Sequence, residues 1–153
     1  MTTSIQAKQD IETRVAGCVQ TYAATITKNY REYHIRTLKG NLSGNYPEYA
    51  REQLDEIENG TAKLYKFVVK TGKRYYKIVQ QEFETWEKSK YYGQYRDGSV
   101  HAFVDKQTGQ VYKPASWQAP AKHVRYDLRI IREREFLFKS NNTDWAGGYL
   151  YLR

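Results

Sequence analysis

The sequence predicts an α+β fold, with an N-terminal long helix plus a short helix, followed by an antiparallel sheet of two hairpins and a C-terminal strand. Three observations support this prediction. Apolar side chains recur at steps of three and four residues through the first part of the chain, as they do on one face of a helix. From residue 61 onward the composition changes to β-branched and aromatic residues, which favour strands. Two glycine-containing turns then divide such runs into hairpins.

The first helix is predicted over residues 4–39. Ser4 is a residue type that caps helix N-termini, and Gly40-Asn41 is a typical C-terminal stop. At about 1.5 Å per residue the helix would exceed ~50 Å, which is long for one small domain, so either Gly17 marks a break or the helix packs against a second copy to form a homodimer. Its apolar stripe consists of Ile11, Val15, Cys18, Tyr22, Ile26, Tyr30 and Tyr33.

A second helix and two hairpins are predicted next. The helix begins at Pro47, because a first helical turn does not need the missing N–H, and it ends at Asn59-Gly60. Each hairpin consists of two strand-like runs joined by a turn that contains glycine. The hairpins comprise strands 62–70 and 74–79 around the turn 71–73, and strands 100–105 and 110–113 around the turn 106–109.

Other segments are less regular. Residues 80–92 fit either a helix or an extended edge, and residues 130–139 fit either a helix or a strand. Residues 113–126 form a long, nearly structureless loop stiffened by two prolines, with an extended end at 124–128. The apolar run at 149–152 is predicted to add the last strand. No linker is visible, so residues 1–153 form a single domain with a helical part (1–60) and a basic, tyrosine-rich β part (61–153).

The charge of the chain is unevenly distributed. The net charge is +8. Residues 1–60 hold 7 Lys and Arg against 8 Asp and Glu, whereas residues 61–153 hold 18 against 9. Because the whole positive excess lies in the β part, we expect that part to contact an anion. The alternative is that the basic balance serves only solubility.

The sequence predicts a cytoplasmic protein without a membrane segment. A single cysteine, Cys18, cannot form an intrachain disulfide, which favours a reducing compartment. The first residues lack the pattern of a signal peptide. No apolar run approaches the roughly 20 residues that a spanning helix needs.

No enzymatic activity, cofactor or metal site is expected. Cys18 lies on the apolar stripe of the first helix, with no base nearby to activate it. His34, His101 and His123 are scattered, so they form no zinc pattern with one cysteine. His101 and Asp105 would share a face of one strand but lie about 13 Å apart, too far for a catalytic pair. No phosphate-binding glycine motif is present.

The second half of the chain contains a series of short motifs, rich in uncommon residues, at distinctive spacings. They are His101-Ala102-Phe103-Val104-Asp105, Thr108-Gly109, Val111-Tyr112-Lys113, Ala115-Ser116-Trp117, Pro120-Ala121-Lys122, Arg125-Tyr126, Leu128 and Trp145-Ala146-Gly147-Gly148-Tyr149-Leu150-Tyr151. This pattern, within residues 75–151, resembles a family of small uncharacterised proteins of tailed bacteriophages. The resemblance implies a phage-encoded protein that acts in the host bacterial cytoplasm. It implies no particular activity, since phages use such proteins to bind nucleic acid, inhibit host machinery or blunt host defences.

The first hairpin is one candidate binding surface. Its cations can neutralise phosphates, and its aromatic rings can stack on bases. Lys66, Arg74 and Tyr75 are the candidate ligand-binding residues. The alternative is an ordinary sheet whose lysines are solvated and protect its edge. The full set is Lys63, Lys66, Lys70, Lys73, Arg74 and Lys77, interleaved with Tyr65, Phe67, Tyr75 and Tyr76.

The long loop at residues 113–126 is the second candidate, because long loops in small domains often carry function. Trp117 is placed to stack on a base, unless it fills the core. The further candidates are cationic, imidazole or phenol side chains that suit an anionic ligand. They are Lys113, Lys122, His123, Arg125 and Tyr126.

Three hypotheses of function follow. The first is a protein that binds nucleic acid, single-stranded or without sequence specificity, because no base-reading helix or zinc finger is visible. The second is an anti-defence protein that sequesters an anionic nucleotide messenger in a pocket. The third is an inhibitor that contacts a host bacterial protein through the long helix.

Overall fold

The computed structural model describes residues 4–151. Its first helix, α1, runs from Ser4 to Asn41, so Gly17 does not break it. Residues 4–10 are exposed, and the buried positions begin at Val15. The excess length of the helix therefore extends past the core at its N-terminal end. The buried side chains of α1 are Val15, Val19, Tyr22, Ala23, Thr25, Ile26, Asn29, Tyr30 and Leu38.

The second helix, α2, spans Pro47–Asn59, as predicted. Proline occupies its first turn, and Gly60 closes it in the left-handed conformation with φ of 77°. Ala50 and Ile57 pack against Leu38 of α1, so α2 covers the C-terminal end of the long helix. None of the helices within residues 4–151 combines the length and apolar character needed to cross a lipid bilayer.

Five strands form one antiparallel sheet in the order β1-β2-β3-β4-β5. Both predicted hairpins are present, and the mixed α+β class is confirmed. β2 continues to Phe83, further than predicted. The segment at residues 80–92, which fitted either a helix or an extended edge, therefore begins as a strand, and the chain then turns back through residues 84–94. The strands are β1 Lys66–Thr71, β2 Tyr75–Phe83, β3 Tyr95–Asp105, β4 Gln110–Tyr112 and β5 Tyr126–Asp127.

The prediction of a C-terminal strand at residues 149–152 is wrong. Gly148–Tyr151 forms a 3-10 helix instead, and residue 152 lies outside the described residues. A strand would send Tyr149 and Leu150 to opposite faces, whereas both are buried in the main core. Gly147, with φ of 86°, starts the turn that allows this. The other ambiguous segment contains a helix, α3, at Ile131–Leu137.

The sheet has two different faces. The first packs against α1, α3 and the C-terminal 3-10 helix and holds the main core, which includes Phe67, Ile78 and Leu150. The second carries a smaller cluster of Val79, Val100 and Phe103, and no helix within residues 4–151 packs against that cluster. We call this second side the helix-free face; its strand residues include Lys70, Tyr75, Lys77, Phe103 and Tyr112.

Substitution of Gly109 in the second hairpin tests how closely the sheet packs against α1. Gly109 has φ of 76°, and a Cβ there would lie 3.1 Å from Arg129 Cγ and 3.3 Å from Val15 Cγ2. Gly109→Ala should therefore lower the free energy of unfolding by more than the roughly 1–2 kcal/mol of a left-handed alanine. Gly60→Ala is the matched control, because φ is 77° but the space is open. Equal losses in urea denaturation would contradict the close packing.

Candidate functional site

Strand alternation separates the lysines of the first hairpin from most of its aromatic rings. Lys70 and Lys77 are direct cross-strand partners and lie on the helix-free face. Phe67 points the other way into the main core, where Tyr65 and Tyr76 also pack. Of the aromatic side chains predicted to lie among these lysines, Tyr75 is the one that remains on their side of the sheet.

The proline-containing loop has neither a helix nor a regular strand over residues 113–125, as predicted, but backbone hydrogen bonds hold it in a defined conformation. The Ala121 N–H donates to the Lys113 carbonyl at 2.8 Å, and the Ala115 N–H donates to the Ala119 carbonyl at 3.0 Å. Pro114 and Pro120 form an isolated β-bridge. The loop is thus a small closed hairpin. Its two arms are held by a few local backbone hydrogen bonds and do not form regular strands, which prolines disfavour.

Trp117 lies at the tip of this loop and docks on the helix-free face. Its indole Nε1–H donates to the Gly98 carbonyl of β3 at 2.8 Å. The Lys77 ammonium lies 4.4 Å from the centre of its ring, a cation–π distance. The side chain is still 38% exposed. Trp117 is therefore held in place without being buried, and part of its ring is free for a ligand.

Tyr75 lies beside this pair and is held by other rings. Its ring makes edge contacts with Phe103 at 5.7 Å and with Tyr112 at 6.3 Å. The Arg74 guanidinium lies 5.1 Å from the Tyr75 ring and forms an ion pair of 3.5 Å with Asp105. These contacts fix Arg74 and Tyr75 at the turn end of the hairpin.

Acidic side chains partly balance the charge of the helix-free face. Lys70 pairs with Asp97 at 3.2 Å. The hydrogen bond from Gln81 is the main reason why the pKa of Asp97 lies below its ordinary value; burial opposes it, and the neighbouring Lys70 lowers the pKa further. Within residues 4–151 no carboxylate forms an ion pair with Lys77. Lys77 therefore has no carboxylate partner among these residues, which leaves its charge available to an external phosphate.

The remaining predicted binding residues do not all join this surface. Lys66 lies over the Tyr95 ring at 4.0 Å, near the far end of the first hairpin. Lys113 lies over Tyr151 at 4.3 Å. Lys122 and His123 are exposed, and the left-handed φ of His123 is 75°. The predicted residues are therefore spread over the sheet and its loops.

Arg125 and Tyr126 are less accessible than the sequence suggested. Arg125 is half-buried, and its Nε has no hydrogen-bond partner. Tyr126 is only 3% exposed, stacks on Phe136 and donates from its hydroxyl to the Tyr149 carbonyl at 3.2 Å. The proposal of Tyr126 as a ligand-binding residue is corrected, because its place on β5 turns it into the core.

Sequence reasoning missed an aromatic tip between β2 and β3. Trp86 is 63% exposed, Tyr91 and Tyr92 are also exposed, and the Lys90 ammonium lies 5.0 Å from the Tyr91 ring. Two backbone hydrogen bonds close the tip: the Glu84 N–H donates to the Gln94 carbonyl, and the Gly93 N–H donates to the Glu84 carbonyl. The available signal was three aromatic residues and two lysines within residues 86–92 that fit neither a helical nor a strand period.

A buried polar network lies on the opposite face of the sheet. β3 has one residue more than β2 between the pairs Ile78–Ala102 and Val79–Val100, and the extra residue is His101. This bulge turns His101 into the core, away from the side where Asp105 binds Arg74. The prediction that His101 and Asp105 share one face of the strand is therefore wrong, because the bulge breaks the alternation between them.

In this network the Tyr149 hydroxyl hydrogen-bonds to His101 Nε2 at 2.8 Å and to the Tyr22 hydroxyl at 2.5 Å. Burial lowers the pKa of His101 to about 4, and a hydrogen bond to the Trp145 backbone opposes this in part. Burial raises the pKa of Tyr22 and of Tyr149. All three groups are thus uncharged at neutral pH, which suits a structural network.

Fold and surface together define a small α+β protein with a partly exposed cation–aromatic face on its sheet. The chain belongs to the DUF7717 family, a family of unknown function, whose profile matches residues 1–152. No curated protein and no solved structure matches it. Within residues 4–151 no group of three His, Cys, Asp or Glu side chains is arranged to hold a metal ion.

Proposed function

We propose that this protein binds single-stranded nucleic acid, without sequence specificity, through the helix-free face of its sheet. The observation that carries the proposal is the pairing of Lys77 with the exposed Trp117 ring. A lysine without a carboxylate partner can neutralise a phosphate, and an exposed indole can stack on an unpaired base. Tyr75 and Arg74 extend the same surface.

The shape of the surface favours single strands over duplexes. Splayed bases of a single strand can reach rings that lie on a sheet, whereas the stacked bases of a duplex cannot. α3 has seven residues, which makes it a poor element for reading a groove. In line with the phage resemblance, we propose that the protein acts in the host bacterial cytoplasm. The aromatic tip at Trp86 would supply a second stacking position.

Binding of labelled single-stranded DNA and RNA, measured by fluorescence anisotropy, tests the proposal. Affinity should fall steeply between roughly 50 and 200 mM salt, because phosphate contacts release counterions. Trp117→Ala should weaken binding by about 5- to 150-fold, the effect of losing ~1–3 kcal/mol of stacking. Lys77→Gln should reduce the slope of log affinity against log salt by about 0.7.

Matched variants separate a site effect from a general one. Trp117→Phe keeps a stacking ring but loses the bond to Gly98, so it should retain most of the affinity. Lys28→Gln on α1 and Tyr46→Ala before α2 remove an exposed lysine and an exposed ring elsewhere. Their binding should match that of the unaltered protein. Absence of binding at 50 mM salt, or equal losses in the control variants, would reject the proposal.

A further inference from the structure

A cavity of about 450 Å³ lies between the N-terminal half of α1 and the chain around α3. Among the described residues, three arginines line it: Arg14 from α1, Arg129 and Arg134. Ile11, Cys18 and Leu128 supply apolar lining, and Asp10 is the one acidic side chain that residues 4–151 contribute to the lining. We call it the arginine pocket. A shallower groove continues from it along α1 and shares Arg14, Cys18 and Arg134.

The three guanidinium groups of the arginine pocket are not neutralised from within the described chain. Among residues 4–151, no carboxylate forms an ion pair with Arg14, Arg129 or Arg134. Arg134 donates to the Leu128 carbonyl at 3.1 Å. In contrast, Arg74 and Arg96 are both ion-paired. Three cations that share one cavity repel each other, so a bound anion would relieve their repulsion.

The stem of Arg129 is held by close packing. A Cβ on Gly109 would lie only 3.1 Å from Arg129 Cγ, which shows that the arginine stem lies directly over the glycine backbone. The Arg129 N–H also donates to Asp127 at 2.8 Å. Because packing restrains the stem, less side-chain freedom is lost when a ligand binds.

We propose that the arginine pocket binds a nucleotide, with its phosphate on the arginines and its base against the apolar lining. Arginine is the side chain best suited to grip phosphate, since its guanidinium can donate two parallel hydrogen bonds. The cavity volume falls within the roughly 300–1,000 Å³ of small-molecule sites. The proposal does not depend on the helix-free face, because the two surfaces share no residue.

The natural cysteine allows a direct test. Cys18 is the single cysteine of the chain, is partly exposed and lines the pocket, so the rate of its reaction with N-ethylmaleimide reports occupancy. We expect millimolar ATP, AMP or cyclic AMP to slow labelling at least 5-fold. Adenosine or inorganic phosphate at the same concentration should slow it less than 2-fold, and isothermal titration should show one site for the effective nucleotide.

Arginine variants complete the test. Arg14→Gln/Arg129→Gln should abolish protection by the nucleotide, measured as the ratio of the variant's own labelling rates with and without nucleotide, while leaving the circular dichroism spectrum unchanged. Arg36→Gln, also on α1 but outside the pocket, should keep the protection. The double variant should still bind single-stranded DNA as the unaltered protein does. Labelling unaffected by every nucleotide, protection that survives in the double variant, or equal protection by inorganic phosphate would overturn the proposal.

Discussion

Tyr149→Phe is expected to lower the free energy of unfolding by about 2–4 kcal/mol. The substitution removes one hydroxyl that is bonded to both Tyr22 and His101 in the core. Each buried polar group left without a partner costs about 1–3 kcal/mol. Van der Waals packing changes little, because phenylalanine keeps the ring. Urea denaturation followed by circular dichroism measures the loss.

A double-mutant cycle separates the hydrogen bonds from general damage to the core. Tyr22→Phe removes the partner hydroxyl at the other side of the same bond, and the double variant Tyr22→Phe/Tyr149→Phe leaves no hydroxyl unpaired between the two rings. We expect the double variant to lose less stability than the sum of the single variants, with a coupling of about 1 kcal/mol or more. Tyr33→Phe, at an exposed position of the same helix, should change stability by less than about 0.5 kcal/mol. Strict additivity would contradict the network.

Local patterns predicted the helices and the hairpins well. The stripe on α1 required only helical spacing, and Pro47 and Gly60 marked the ends of α2 because their backbone preferences are strong. The turn at 106–109 was correct because Gly109 adopts a left-handed conformation that few other residues tolerate. These features depend on a few adjacent residues, so they can be predicted without knowledge of tertiary contacts.

The errors come from interactions between distant parts of the chain. The 3-10 helix at the C-terminus exists because Tyr149 reaches Tyr22, a residue 127 positions earlier. Burial of Tyr126 depends on contacts with Phe136 and Tyr149. The position of Trp117 on the sheet, which the sequence did not give, likewise depends on its bond to Gly98 on β3. No local periodicity encodes such partners.

The candidate surface was only partly predictable for the same reason. Composition singled out Trp117, Arg74 and Tyr75, because cations next to aromatic residues are visible in the sequence. The pairing of Trp117 with Lys77 needs the loop to fold back across the sheet. The bulge at His101 shifts the alternation of β3 by one residue, and such a shift cannot be read from a strand pattern alone.

Acidification is expected to destabilise the protein through His101 between pH 6.5 and about 4. Burial holds the folded-state pKa of His101 at about 4, whereas an unfolded histidine has a pKa of about 6.5. Above pH 6.5 the ring is neutral in both states, and its contribution to stability is fully present. As the pH falls, the unfolded state takes up a proton that the folded state excludes, and the loss reaches about 3 kcal/mol near pH 4.

The measurement compares the unaltered protein with His101→Gln, which cannot titrate in this range but can still hydrogen-bond to Tyr149. Carboxylates titrate equally in both proteins, so the difference in their free energies of unfolding isolates the histidine. That difference should shift by about 3 kcal/mol between pH 7 and pH 4. His123→Asn is the control, because asparagine tolerates the left-handed backbone at this exposed position. If His101→Gln leaves the pH dependence unchanged, water must reach the imidazole in the folded protein, and the bulge does not seal His101 in the core.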